Sequence, residues 1–271
     1  MNKESKPIGL FDSGLGGLTV LKEIRRKLPH ESTVYLGDTA RVPYGIRSPE
    51  TVTRYSLENT RFLFSKDVKM IVVACNTASS VSLGSIRNAA PVPFVGVIEP
   101  GAKAAVAATK NRKIGVIGTE TTIKSNSYAR AIWNIDSSVE VFSIACPLFV
   151  PLVEDGRTTG KIAEMIAQEY LQDIKQKGID TLVLGCTHYP LLKGVLAAVM
   201  GKSVKLIDSA IETALEIETI LRDLSLLNTS GSAVIREFFV TDSPEKFKII
   251  GERFLGEPIH HIKKIELKME V

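Results

Sequence analysis

Short apolar runs, each closed by a polar or glycine-rich turn and followed by residues at helical spacing, alternate along most of the chain. Ile8 to Phe11 reads as a buried strand. After the turn Asp12-Ser13-Gly14-Leu15-Gly16-Gly17, the side chains Leu18, Leu21, Ile24 and Leu28 fall on one face of a helix. Val34 to Leu36 predicts a second strand, and Ser48-Pro49 opens a helix with serine as cap and proline in the first turn. Met70 to Ala74 predicts a third strand, and a helix after Cys75 runs toward Asn88.

The pattern then restarts. Lys113 to Ile117 predicts a strand, Gly118 to Thr122 a turn, and Ile123 onward a helix. Val139 to Ile144 is a further strand, leading through Pro147 and Pro151 to a helix from about Thr158 to Lys177 that Gly178 stops. Thr181 to Leu184 runs into a turn at Cys186. Beyond Ile207 the chain predicts a helix from Ser209 to about Leu224, a strand from Val234 to Val240 and a helix near Pro244 to Phe254.

This alternation predicts an α/β fold of two similar doubly wound α/β domains, with mainly parallel sheets and the active site in the cleft between them. The expected first domain is 1–98 plus 209–271 and carries Cys75; the second is 99–208 and carries Cys186. Short connections near Glu99 and Asp208 are expected to act as the hinge. The interval from Asp12 to Cys75 nearly equals that from Thr119 to Cys186, which points to duplication of one α/β unit.

Composition changes this picture little. The 271 residues are long enough for two cores, and 44% apolar with 24% charged residues is ordinary for a globular protein. The net charge of +4 is dispersed without a basic block, so no nucleic-acid partner is expected. Met1 to Lys6 is charged and carries no signal-peptide core. The apolar region from Val92 to Ala108 is broken by Pro93, Glu99, Pro100 and Lys103, so no membrane span is expected. The 3 cysteines, without a C-x-x-C pair or a histidine cluster, predict reduced cytoplasmic thiols and no metal site.

The chemistry concentrates at two matched junctions, Val73-Ala74-Cys75-Asn76-Thr77-Ala78-Ser79 and Leu184-Gly185-Cys186-Thr187-His188-Tyr189-Pro190. Each thiol is expected immediately ahead of a helix, where unpaired N–H groups and the helix dipole favour thiolate. A lone cysteine there more often only fills space; two in matched polar contexts favour one shared site. Asn76, Thr77, Ser79, Ser80 and Thr187 suit either helix capping or anion binding. Asp12 suits a cap on the following helix or a carboxylate that tunes proton transfer. His188 suits a structural histidine or a titrating group at a strand edge. Gly14, Gly16 and Gly17 fail the dinucleotide fingerprint at its third glycine, and no phosphate-loop lysine follows.

Together the segments Gly9 to Leu18, Asp38 to Gly45, Ala74 to Ser80, Cys146 to Glu154, Gly185 to Leu192 and Phe238 to Pro244 resemble glutamate racemases of the aspartate/glutamate racemase superfamily. The resemblance spans nearly the whole chain. It implies interconversion of L- and D-glutamate by two cysteines without a cofactor, supplying D-glutamate for peptidoglycan. Cys75 and Cys186 would be the two acid/base residues, with Asp12 and His188 supporting them. Ser13, Pro43, Tyr44, Gly45, Asn76, Thr77, Thr119, Thr122 and Thr187 would bind glutamate beside those four residues, with Glu154 a further acidic position near the site. Relatives are often dimers, so a homodimer is expected. Thr121 departs from the pattern, since glycine is expected there in many relatives, and Cys146 has no acid/base role.

Two thiols suit this reaction. Inverting an α-carbon without a cofactor needs one base to remove the proton and an acid on the opposite face to return one. Pyridoxal phosphate would need a Schiff-base lysine, and neither cysteine motif contains one. The rivals are a racemase for aspartate or a hydantoin, a cysteine hydrolase pairing Cys186 with His188, and a two-lobed amino-acid-binding protein.

Overall fold

The computed structural model describes residues 3–267 apart from Ala90, Ser230 and Ser232; Met1 and Asn2 of the charged N-terminal segment lie outside the described residues. In chain order the elements of the first half are β1 (Ile8–Asp12), α1 (Leu18–Lys27), β2 (Thr33–Gly37), α2 (Pro49–Phe64), β3 (Met70–Val73), α3 (Asn76–Val81), α4 (Leu83–Ala89), β4 (Phe94–Gly96) and α5 (Ile98–Ala108). The second half continues with β5 (Lys113–Gly118), α6 (Glu120–Lys124), α7 (Ser127–Ile135), β6 (Glu140–Ala145), α8 (Phe149–Glu154), α9 (Lys161–Gln176), β7 (Thr181–Gly185), α10 (Lys193–Met200) and β8 (Lys205–Asp208). The chain closes with α11 (Ser209–Asp223), β9 (Arg236–Val240), α12 (Pro244–Leu255) and β10 (Ile262–Lys264).

Two sheets result, with strand orders β10-β9-β2-β1-β3-β4 and β6-β5-β7-β8, and their strand pairs are parallel. The segment β2-β1-β3-β4 of the first sheet repeats as β6-β5-β7-β8 in the second, which supports a duplicated unit. In both, the chain leaves a central strand to one side and returns on the other. The switch points therefore lie between β1 and β3 and between β5 and β7, where an open parallel sheet leaves a crevice at the carboxyl ends of its strands.

Both faces of each sheet are covered, which explains the near-continuous apolar strands. Ile8 and Leu10 of β1 face the core formed with α1 and α12, whereas Phe11 packs on the opposite side with Val52 and Leu63 of α2. Leu182 and Leu184 of β7 likewise face one way, and Val183 packs the other way beside Ala102 and Ile132. The two sheets share one continuous core through α11, which packs on both α1 and α5.

Several expected boundaries move. The helix after Cys75 is two helices: Ser82 ends α3, its hydroxyl engaging Ala78 and Ser56. The helix from Ile123 is also divided, because Asn126 adopts a left-handed conformation between α6 and α7. The helix expected from Thr158 begins at Lys161, after Gly160 with φ of 85°. Glu99 lies inside the first turn of α5 and Asp208 caps α11, accepting from the Ala210 N–H at 2.9 Å, so both connections between the sheets fall at helix starts. Ser48 does cap α2, accepting from the Thr51 N–H at 3.3 Å, with Pro49 first in the helix.

The start of β3 is held by a buried ion pair. Lys69 Nζ lies 2.5 Å from Glu31 Oε2, with side chains only 1% and 3% exposed, and also donates to the carbonyls of Glu4 and Leu226 at 2.6 and 2.7 Å. One ammonium thus ties the N-terminal segment, the turn before β2 and the loop after α11. Lys69→Met should lower the unfolding free energy by about 3–5 kcal/mol, because it leaves the Glu31 carboxylate buried without its cation. Urea denaturation checks this; a loss below about 1 kcal/mol would show that the pair is not a structural tie.

Candidate active site

The residues that end the central strands converge. Asp12 closes β1 and Cys75 follows β3; Thr119 follows β5 and Cys186 follows β7. A cavity of about 340 Å³ lies between the two sets, lined by both thiols. From the first half it takes Ser13, Pro43, Tyr44, Gly45, Asn76 and Thr77; from the second it takes Thr119, Glu154, Thr187 and His188. Asp12 and Thr122 stand behind this lining. A second cavity, about 330 Å³, lies between α4, α5 and α7 and contains neither thiol.

The halves meet closely around the cavity. A Cβ on Gly16 would lie 2.1 Å from Thr187 Oγ1 and 2.5 Å from His188 Nδ1, so only glycine lets the first turn reach the Cys186 loop. Thr19 Oγ1 donates to the Thr187 carbonyl at 3.0 Å, and Asn76 Nδ2 donates to Tyr128 Oη at 2.8 Å. Thr77, Thr119 and Thr122 form a hydroxyl cluster across the cleft, with Oγ1 separations of 2.9, 3.4 and 3.0 Å.

The two thiols have unlike surroundings. Cys75 is the N-cap of α3, and its Sγ lies 3.7 Å from Ser13 Oγ. Burial pushes this thiol up to about 12, and the charge of Asp12 adds to the rise; the Ala78 N–H and Ser13 oppose it. This corrects the expectation that the helix start favours thiolate. A helix N-terminus is worth about 0.3–1 kcal/mol, less than one pKa unit, and here burial wins.

Cys186 departs from expectation differently. It precedes Thr187 and His188 and a single 3-10 turn at Tyr189–Leu192, with α10 starting only at Lys193. In place of a helix end it has a histidine: Cys186 Sγ lies 3.8 Å from His188 Nδ1, and His188 Nε2 lies 3.1 Å from Glu154 Oε1. The ring packs edge-on against Phe254, with centroids 5.2 Å apart. Burial by itself would lower the His188 pKa, but hydrogen bonds to Cys186 and Glu154, with their charges, raise it to about 10. Burial pushes the Glu154 carboxyl up; its bond to His188 and the positive charges of His188 and Lys246 outweigh this and hold it low.

Asp12 is buried and does not cap α1, whose N-cap is Gly17. Its Oδ2 accepts from the Gly14 N–H at 2.8 Å, while Oδ1 has no hydrogen-bond partner. Burial raises its pKa against the lowering effects of His188 and the Gly14, Gly17 and Ser13 N–H groups. The carboxyl therefore holds its proton more tightly than an exposed aspartate and sits beside Cys75. Asn76 Oδ1 is likewise buried without a partner.

Asp38 received no role from the sequence, yet it organises the first-half lip of the cavity. It accepts from Tyr44 Oη, from Arg41 Nε at 2.7 Å and from Thr241 Oγ1 at 3.0 Å. Asn59 Nδ2 also donates to Tyr44 Oη at 3.1 Å. Glu120, Val150 and Pro151 are further lining residues that the motifs did not single out. The polar groups gathered here suit a small polar substrate: thiols to move protons, and hydroxyls and amides to hold carboxylates.

Fold and site together define an isomerase of the amino-acid racemase class. Residues 12–217 match the family model for Asp/Glu/Hydantoin racemase, and the chain belongs to that family. It is 53% identical over 265 residues to a glutamate racemase of Geobacter metallireducens, covering 98% of each chain. Its fold is similar to glutamate racemase from Francisella tularensis in complex with D-glutamate, with a TM-score of 0.92, 38% identity and coverage of 97% of this chain and 98% of that one. A glutamate racemase isoform of Bacillus anthracis gives a TM-score of 0.94 at 42% identity, with the same coverage.

The His188 environment makes a pH prediction. Because the folded value lies above the ordinary 6.5, the stabilisation from charged His188 is full below 6.5 and is lost as pH rises toward about 10. An NMR titration should place its imidazole near 10 in the parent protein and lower in Glu154→Gln. A midpoint near 6.5 in both would contradict the assigned environment.

Proposed function

We propose that this protein interconverts L- and D-glutamate by two-base proton transfer between Cys75 and Cys186, without a cofactor. The observation that carries the proposal is the placement of one thiol at each of two equivalent switch points, both lining the same cavity. Membership of the racemase family supports the reaction class, and the relatives named above support glutamate as substrate.

The chemistry follows from the surroundings. The α-proton of an amino acid is weakly acidic, so carbanion character must be stabilised as the proton leaves. No lysine or arginine lines the cavity among the described residues. The substrate carboxylates would therefore be held by Ser13, Asn76, Thr77, Thr119 and Thr187 and by the backbone N–H groups that begin α3 and α6. Tyr44 and Gly45 would close the first-half side, with Pro43 beside them. Thr122 supports Thr119 from behind.

One thiolate takes the α-proton while the other thiol delivers a proton to the opposite face, and the roles exchange in the reverse direction. Asp12 beside Cys75 and the His188–Glu154 pair beside Cys186 would handle each thiol's proton. The surroundings differ although the reaction is symmetric, so each half would tune its thiol by its own means.

The wider role proposed is supply of D-glutamate for peptidoglycan, resting on the resemblance to glutamate racemases. A cytoplasmic location fits three free cysteines and the lack, among the described residues, of a helix long and apolar enough to cross a membrane. A division into 1–98 plus 209–271 and 99–208 is proposed from the two sheets, with the cleft between them. A homodimer, proposed by resemblance, is checked by light scattering.

Purified protein should racemise either glutamate enantiomer without added pyridoxal phosphate or metal, and should turn over aspartate far less. Cys75→Ser and Cys186→Ser should each lower kcat by at least about 10²–10⁴-fold, the scale of a lost acid/base residue. Chiral chromatography reads both results. A folded serine variant that keeps its rate would remove that thiol from the scheme.

A further inference from the structure

Thr121 stands in the turn between Thr119 and Thr122, yet it neither lines the cavity nor joins the hydroxyl cluster. Its side chain crosses the cleft instead. Oγ1 lies 2.9 Å from the carbonyl oxygen of Gly45 and 3.0 Å from that of Arg47. These carbonyls bracket the C-terminal side of the 3-10 turn Tyr44–Ile46, whose residues Tyr44, Gly45 and Ile46 all line the cavity. One buried hydroxyl proton is thus shared between two acceptors on the opposite half.

The contact is close on its neighbouring side as well. A Cβ on Gly45 would lie 2.7 Å from Thr119 Cβ, so the turn is seated directly on the start of α6. The turn's other anchor belongs to its own half, where Asp38 and Asn59 hold Tyr44 Oη. Asp38 and Asn59 fix the turn within the first half; Thr121 fixes it to the second.

We infer that Thr121 is a positioning residue that latches the Tyr44–Ile46 turn onto the second half and so sets the closed fraction of the cleft. The inference rests on the racemase reading above. A latch formed only when the halves meet favours the closed arrangement, and apparent affinity scales with the fraction of molecules in the binding-competent state. Gly45 is half-buried and Arg47 exposed, so the turn lies at the surface and can part from the second half without unfolding of either core. A net hydrogen bond of this kind corresponds to about a two- to tenfold change in an equilibrium.

The test compares Thr121→Val, which keeps the shape and removes the donor, with Thr121→Ser, which keeps the donor. In Thr121→Val, KM for both glutamate enantiomers should rise by about two- to tenfold, with a smaller change in kcat and an unaltered pH profile. Thr121→Ser should stay close to the parent. Hydrogen–deuterium exchange of the segment 42–48 should quicken in Thr121→Val and not in Thr121→Ser. Parent-like KM and exchange in Thr121→Val would overturn the latch, as would equal impairment in both variants. If the parent protein fails to turn over glutamate, the functional reading fails, while the exchange comparison still decides the latch.

Discussion

An open parallel sheet cannot cover the carboxyl ends of two neighbouring strands whose connections leave in opposite directions. This constraint acts twice here, between β1 and β3 and between β5 and β7. Whatever residues end those strands must share a crevice, and in this chain they are Asp12 and Cys75 on one side and Thr119 and Cys186 on the other. The shared core through α11 sets the crevices against each other, and Gly16 permits the last few ångströms of approach. The cavity shared by the two thiols follows from topology before any side-chain chemistry is considered.

Within that frame the two thiols are equivalent in position and different in electrostatics. Burial dominates at Cys75 and outweighs the modest contribution of a helix of only 6 residues. At Cys186 the adjoining groups are His188 and Glu154, where mutual stabilisation of charge overcomes a desolvation cost that would otherwise leave the imidazole neutral. Buried polar atoms without partners are uncommon in folded proteins. Among the described residues Asp12 Oδ1 and Asn76 Oδ1 are two at this cleft, while Arg25 Nε, Thr60 Oγ1 and the ion-paired Glu31 Oε2 lie elsewhere.

The α/β alternation was readable because the central strands are buried on both faces and end in sharp polar turns. Both cysteine junctions were readable for the same reason. What escaped was short or non-local. β4 has 3 residues, lying between prolines and α5, and β10 pairs only at the sheet edge beside β9. β8 begins at the exposed Lys205, so its apolar signal is weak. The break at Asn126 is a backbone conformation that composition alone does not reveal. Thr121 gains its role from Gly45 and Arg47, distant in sequence, and Asp38 joins the nearby Arg41 and Tyr44 to the distant Thr241. Cys186 is expected directly ahead of a helix, whereas the chain first makes one 3-10 turn at Tyr189–Leu192.

Two thiols acting on opposite faces of one α-carbon, as proposed, would leave their signature in the fate of solvent hydrogen at early times. Each glutamate enantiomer is racemised in heavy water to a few per cent conversion, and the deuterium content of both enantiomers is read by mass spectrometry. Two separate acid/base groups predict deuterium at the α-carbon of the product, with the recovered starting enantiomer still protonated, in both directions. Deuterium accumulating in the recovered enantiomer as fast as in the product would mean that one group exchanges with solvent and serves both faces, and would rule out two opposed thiols.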